Sequence, residues 1–319
     1  QSRAAAFAMF QSGVNREQTE KQRSMSPEPM RPKNTQKVTK KGKRYADFRK
    51  FASGAFSVVY KAKDRQNNDT IVAIKKIHIG GSLIDNKFEP TTKEEGDNEV
   101  RILKLVNNHK NTCNLMDTYF DHQLGVNAGY VLCIVMEYVP CTLKERMEFY
   151  AEKGKNIPFE LLKIYLFQLC KAVNHMHMKR VCHRDIKPEN VLVDPDTNRL
   201  QLCDFGCSVI MKNKDDEEDT ENDTDYDYDD FKEEGNETYV MSRFYRAPEL
   251  ILGNRFYDTT ADLWSLGVVF GELFLGTILF MGSNNMDQLK EIVLKLGWPT
   301  KNDFKDMNPE ITDFEKVKG

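Results

Sequence analysis

The chain has 319 residues, 40% of them hydrophobic and 10% aromatic, and a formal net charge of −3. That length accommodates one large domain or two lobes, and no apolar run approaches the ~18 residues of a bilayer span, which excludes a membrane segment. The seven cysteines, at 113, 133, 141, 170, 182, 203 and 207, lack CxxC spacing, which argues against a disulfide framework or a zinc site and for a reducing compartment. A cytoplasmic location is expected, with the nucleus as the alternative. The opening QSRAAAFAMF has no signal-peptide core or cleavage site and no initial Met, so the sequence reads as a fragment.

Charge is unevenly spread along the chain. Residues 1–44 carry eleven Lys/Arg against three Asp/Glu, whereas residues 212–237 carry fourteen Asp/Glu against three Lys. Such stretches cannot bury enough apolar surface to offset the entropy of ordering, so residues 1–43 read as a disordered basic tail and 212–237 as a mobile acidic insertion. Within the tail, SPEPMRP at Ser26 favours extended chain. KVTKKGKR at Lys37 reads as a solvated linker, with a nuclear-localisation or acidic-partner patch as the alternative.

The next segment, 44–138, is strand-rich. VVYKAKD at Val58, TIVAIKKI at Thr70 and YVLCIVMEY at Tyr130 are rich in branched and aromatic residues and bounded by turn formers. A helix is predicted over about 94–106, with Val100, Leu103 and Val106 on its apolar face. After Pro140, residues 139–319 turn helical. Leu162, Leu166, Leu169, Val173 and Met176 recur at helical spacing, and Thr260 to Phe274 is apolar nearly all round. A small sheet lobe joined to a larger helical lobe leaves a cleft, a common place for a ligand.

Three motifs supply the chemistry for that cleft: HRDIKPEN at His183, DFG at Asp204 and APE at Ala247. Phosphoryl transfer to a hydroxyl needs a carboxylate for the hydroxyl proton and oxygen ligands for a divalent cation. In the protein kinases that these motifs resemble, the template of phosphoryl transfer implies Asp185 as the base or orienter, Lys187 as reaching the transferred phosphate, and Asn190 and Asp204 as holding magnesium. Lys75, in VAIK on a strand, suits a phosphate-binding ammonium. Glu99 is its expected partner because it leads the apolar helix face, with Glu94 and Glu95 as competitors. In this order the motifs resemble those of a protein kinase.

The stretch MSRFYRAPELILG at Met241 narrows the resemblance to the CMGC group of serine/threonine kinases. MEYVPCTL at Met136, DPDTNRLQLCDFG at Asp194, MDQLKEIVLKLGWPT at Met286 and DMNPEITDFEK at Asp306 are similar to glycogen synthase kinase 3. The resemblance implies an α+β two-lobed kinase fold, with a small antiparallel sheet and one main helix above a mostly helical lobe. It also implies ATP and Mg2+ as cofactors and protein substrates. ATP would lie among Ala52, Gly54, Ser57, Val59, Ala73, Lys75, Met136, Leu192 and Cys203, with its adenine on the backbone of Glu137, Tyr138 and Val139. Tyr239 falls at the activation-loop phosphotyrosine position, and Arg184, Arg243 and Arg246 border the substrate groove.

The chain also departs from that pattern. Its phosphate loop, Ala52 to Ser57, keeps only Gly54 of the GxGxxG spacing, so weaker ATP binding is expected. Of three cations that would hold a priming phosphate, only Arg184 survives; Asn98 and Val209 occupy the other positions, and dependence on a primed substrate is not expected. The acidic insertion lengthens the segment between Asp204 and Glu249. Glu237 or its neighbours would stand in for a phosphate near Arg184, or recruit a basic partner; a solvated insertion is the alternative. Further helices, whose arginine would pair with Glu249, are expected beyond Gly319, so the sequence reads as truncated, with another cation in that role as the alternative. A kinase fold without catalysis, binding partners through the insert and tail, is the alternative function. Nucleic acid is not an expected partner, since the tail lacks interleaved aromatic residues.

Overall fold

The computed structural model describes residues 44–54, 57–79, 91–122, 130–211 and 241–309, all within one compact unit, Val38–Gly319. The tail, the acidic insertion, Glu237 and Tyr239 lie outside the described residues.

The small lobe is a five-stranded antiparallel sheet in the order β1-β2-β3-β5-β4. Its strands are β1 (Tyr45–Ser53), β2 (Ser57–Asp64), β3 (Thr70–Ile79), β4 (Leu115–His122) and β5 (Tyr130–Glu137). The three expected strands are the central ones. Pattern reasoning missed β1 and β4 because they are the edges: β1 is exposed beyond its first two residues, and its charged side chains conceal the strand period. Tyr45, Val72, Ile74, Cys133 and Val135 fill one face of the sheet.

Helix α1 (Lys93–Val106) begins in a capping box formed by Thr92 and Glu95, which satisfies two end amides that helix geometry leaves unpaired. Its buried residues are Gly96, Glu99, Ile102, Leu103 and Val106. The buried stripe therefore runs through Gly96 and Ile102, and Val100 lies at its margin, because the helix approaches the sheet at a residue with no side chain. A Cβ on Gly96 would lie 2.8 Å from Ile79 Cδ1 and 3.1 Å from Leu132 Cδ2. Gly96→Val is expected to lower stability by about 1–3 kcal/mol through overpacking, measurable by denaturant unfolding.

The large lobe contains α2 (Leu143–Ala151), α3 (Phe159–His177), α4 (Pro248–Ile251), α5 (Thr260–Leu275), α6 (Asn285–Leu296) and α7 (Lys301–Met307). Leu162, Tyr165, Leu169, Ala172, Val173 and Met176 of α3 are buried, as are Leu266, Val268, Val269 and Leu273 of α5. Short strands lie between these helices and the cleft: β6 (Cys141–Thr142), β8 (Val191–Val193) and β9 (Leu200–Leu202) form one sheet, and β7 (Val181–Cys182) pairs with β10 (Val209–Ile210). One apolar core runs from Ile77, Ile102 and Leu103 of the small lobe through Phe205 to Leu169 and Val269 of the large one. The expected α+β two-lobed architecture is therefore the fold of the protein. Among the described residues no helix is long and apolar enough to cross a membrane.

Candidate active site

Sheet register builds the roof of the cleft. Val59 pairs with Lys75, and Ala73 pairs with Met136, so these four side chains share one face of the sheet. On that face Lys75 Nζ lies 2.6 Å from Glu99 Oε1 and 2.8 Å from Asp204 Oδ1. The competing glutamates are placed elsewhere: Glu95 closes the capping box, and both it and Glu94 are exposed. Burial works to lower the Lys75 pKa, but the carboxylates of Asp204 and Glu99 outweigh it and hold the ammonium above the ordinary lysine range. Lys75 in turn holds the Asp204 carboxyl down at about 2, whereas burial pushes Glu99 up. Asp204 is thus the more firmly ionised of the two carboxylates, and its side chain is 48% exposed.

The cleft floor is the loop between β7 and β8. Both oxygens of Asp185 are engaged. Oδ1 accepts from Ser242 N at 3.1 Å and Ser242 Oγ at 2.9 Å, and Oδ2 accepts from Lys187 Nζ at 2.6 Å and Asn190 Nδ2 at 2.8 Å. Lys187 Nζ also reaches Ser242 Oγ at 2.8 Å. Arg184 and Asp204 adopt left-handed backbone, φ 64° and 65°, which costs a non-glycine residue free energy and persists where surrounding contacts enforce it. For Arg184 the enforcing group is Asp262 of α5, fully buried, which accepts the backbone amides of His183 at 2.8 Å and Arg184 at 2.9 Å. His177 Nε2 lies 2.9 Å from the same carboxylate. The ring of Phe205 sits 5.3 Å from that of His183, tying the DFG segment to this loop.

Of the expected nucleotide residues, Val139 is buried, while Ser57, Val59, Ala73, Met136, Glu137, Tyr138, Leu192 and Cys203 are partly buried around the cleft. Ala52 and Gly54 are exposed at the end of β1, where Gly54 N donates to Ser57 O at 2.9 Å; Ala55 and Phe56 lie outside the described residues. The Glu137 carboxylate faces away from the cleft roof toward β9, accepting from Arg199 and, at 3.0 Å, from Gln201 Nε2. Burial pushes its carboxyl up, and these bonds more than reverse the effect. Phe51 meets the Tyr138 ring edge-on at 5.4 Å. Burial raises the Cys203 thiol well above its ordinary range, which leaves it protonated and unreactive.

Asp204 and Asn190 offer hard oxygen donors from neighbouring strand ends, where Cys203 N donates to Asn190 O at 2.9 Å. Among the described residues no three His, Cys, Asp or Glu side chains cluster to hold a metal ion. A magnesium ion bound by Asp204 and Asn190 would therefore fill its shell with phosphate oxygens and water, as this ion commonly does. That donor set fits a metal–nucleotide complex better than a dedicated metal cage.

The three arginines expected along the groove differ in exposure. Arg184 is 9% exposed, donating to Cys207 O at 2.5 Å and Tyr257 Oη at 3.1 Å. Arg246 is 4% exposed, with bonds to Met241 O and Asn285 Oδ1, and Arg243 donates to Ser283 O at 2.6 Å. Among the described residues no salt bridge reaches Glu249, and burial pushes its carboxyl up. Ser242 and Asp262 escaped the sequence reading. Each contacts the catalytic loop from more than fifty residues away in sequence, so no local spacing could reveal either.

A comparison with protein-family models matches residues 45–316 to one described as the protein kinase domain.

Proposed function

The chain belongs to the protein kinase domain family, and from that premise we propose that it is an ATP- and Mg2+-dependent serine/threonine protein kinase resembling glycogen synthase kinase 3, acting without need of a primed substrate. The observation that carries this reading is the Asp185 carboxylate, aligned by Lys187, Asn190 and Ser242 and facing the Lys75–Glu99–Asp204 group across one cleft. In this account Asp185 orients the acceptor hydroxyl and receives its proton, which is worth about 10²- to 10⁴-fold. Lys187 balances charge at the transferred group, and Lys75, fixed by Glu99, binds phosphate. Bound magnesium would neutralise charge on the phosphates. Asp262 positions the loop that presents Asp185.

Indifference to priming is supported by the fate of the cation positions. Arg184 is spent on Cys207 O and Tyr257 Oη, Asn98 donates to Ser208 O at 3.0 Å, and Val209 pairs with Cys182 in a strand. Asn98 and Val209 carry no charge, and Arg184 alone, 9% exposed, does not supply the three-cation set of charge-assisted bonds expected to hold a priming phosphate. The phosphate loop, Ala52 to Ser57, which keeps only Gly54 of the glycine pattern, favours the second reading, a kinase fold that binds partners without transferring phosphate.

Matched primed and unprimed peptides, each with Ser, Thr or Tyr as sole acceptor, test the reading. Equal rates on primed and unprimed Ser and Thr peptides are expected. A strong preference for the primed form would refute the priming claim, and transfer to Tyr alone would refute the acceptor class.

A further inference from the structure

Helix α1 carries Glu99, so the Lys75–Glu99 contact lasts only while α1 stays against the cleft. The contact is short and buried, but it acts at one point, and a helix can pivot about one point. A second tether from the same helix turn reaches the lower lobe: Asn98 Nδ2 donates to Ser208 O at 3.0 Å. Asn98 is adjacent to Glu99 and therefore projects about 100° around the helix from it. Glu99 meets the roof of the cleft, and Asn98 meets the chain just past Gly206.

Ser208 is a junction. It is fully buried, and its amide donates to Phe205 O at 3.0 Å, its hydroxyl to His183 O at 3.2 Å, while its carbonyl receives Asn98. The residues that follow are fixed to the catalytic loop's own approach strand. Val209 pairs with Cys182, Ile210 with Val181, and Met211 N donates to Arg180 O at 2.9 Å. The Asn98 bond therefore connects α1 to the DFG segment and to the loop bearing Asp185 through residues 205–211. It does so through a neutral amide and a neutral carbonyl.

We propose that Asn98 is a positioning residue for phosphoryl transfer, its amide bond to the Ser208 carbonyl holding α1, and with it Glu99, in the arrangement that engages Lys75. The role rests on the kinase reading above, since it matters to catalysis only if the site transfers phosphate. Because both partners are neutral, the tether works without a phosphate group on the chain and is insensitive to salt, unlike a contact between exposed charges.

The test uses the full chain and two readouts. Hydrogen exchange of the amides in 93–106, without nucleotide, reads the tether directly, and steady-state kinetics with ATP and an unprimed peptide read its consequence. Asn98→Asp keeps the shape but sets an acceptor against the carbonyl; Asn98→Ala removes the group; Asn98→Gln keeps the donor on a longer stem. Asp and Ala are expected to speed exchange in α1 by about fivefold to tenfold, the worth of one neutral hydrogen bond, and to lower kcat by a smaller factor, since kcat follows the fraction of chains with α1 in place whereas exchange follows the fraction with it displaced. KM for the peptide should hold, because fewer molecules are competent at any moment and the competent ones bind peptide as before. Gln should recover part of both, and wild-type protection should persist from low to high salt. Unchanged exchange in both Asp and Ala would overturn the proposal, as would loss of peptide affinity at constant kcat. If the wild-type chain transfers no phosphate, the kinase reading fails, and the exchange arm still decides whether Asn98 tethers α1.

Discussion

Asp185→Asn is expected to reduce phosphate transfer by about 10²- to 10⁴-fold while leaving the chain folded and nucleotide affinity close to that of the wild type. The carboxylate accepts four hydrogen bonds, from Lys187, Asn190 and both the amide and hydroxyl of Ser242. An amide in its place keeps one acceptor oxygen, which can still serve Ser242. Its nitrogen then faces the Lys187 ammonium and the Asn190 amide, both donors, so that side of the network has no acceptor. The acceptor hydroxyl also loses the only anionic oxygens that Asp185 could offer it. Single-turnover transfer with nucleotide binding measured in parallel separates the two effects. A variant that binds ATP normally and transfers at the wild-type rate would remove Asp185 from the mechanism.

Lys75→Met should act on nucleotide affinity and stability together. The Lys75 side chain is 11% exposed, and its ammonium bridges Glu99, whose side chain is 5% exposed, to Asp204. Removing one partner of a buried pair commonly costs about 3–5 kcal/mol because the other charge is left without compensation. The lower part of that range applies here, since the Asp204 side chain is 48% open to water, which can solvate it. The residual penalty falls on Glu99, held inside α1 beside the sheet. Adding Glu99→Gln to Lys75→Met should restore part of the stability without restoring nucleotide binding, a non-additivity expected of residues in direct contact. Denaturant unfolding of both singles and the double variant measures it. Additive losses would show that the two side chains are not energetically paired.

How far the sequence discloses this site depends on whether a residue's partners lie close in the chain. Lys75 was legible because VAIK alternates on a buried strand, and Glu99 because it leads the stripe that packs under the sheet. Of the stripe, Leu103 and Val106 are buried as expected, whereas Val100 lies at its margin and was read into it because an apolar side chain is a visible signal. The close approach at Gly96 is made by the absence of one. Edge strand β1 was hidden by its exposed charged residues, and β4 because Met116 and Phe120 are exposed while Asp117 is partly buried, which inverts the usual pattern. Ser242 and Asp262 were hidden for a different reason: a serine and a buried aspartate carry no pattern of their own, and their meaning comes from folding onto His183–Asp185. Arg184 and Arg246 look like free cations in a string of letters. The fold buries both guanidiniums against carbonyl, hydroxyl and amide oxygens.

The central claim is that this cleft transfers phosphate as well as binding nucleotide. Its most direct test is the initial rate of labelled phosphate transfer from ATP to a basic protein by the full chain, with magnesium present and then chelated, alongside nucleotide affinity on the same preparation. The account predicts magnesium-dependent transfer to serine or threonine. A preparation that binds ATP and magnesium and transfers nothing to any acceptor would contradict it and leave a binding scaffold in its place.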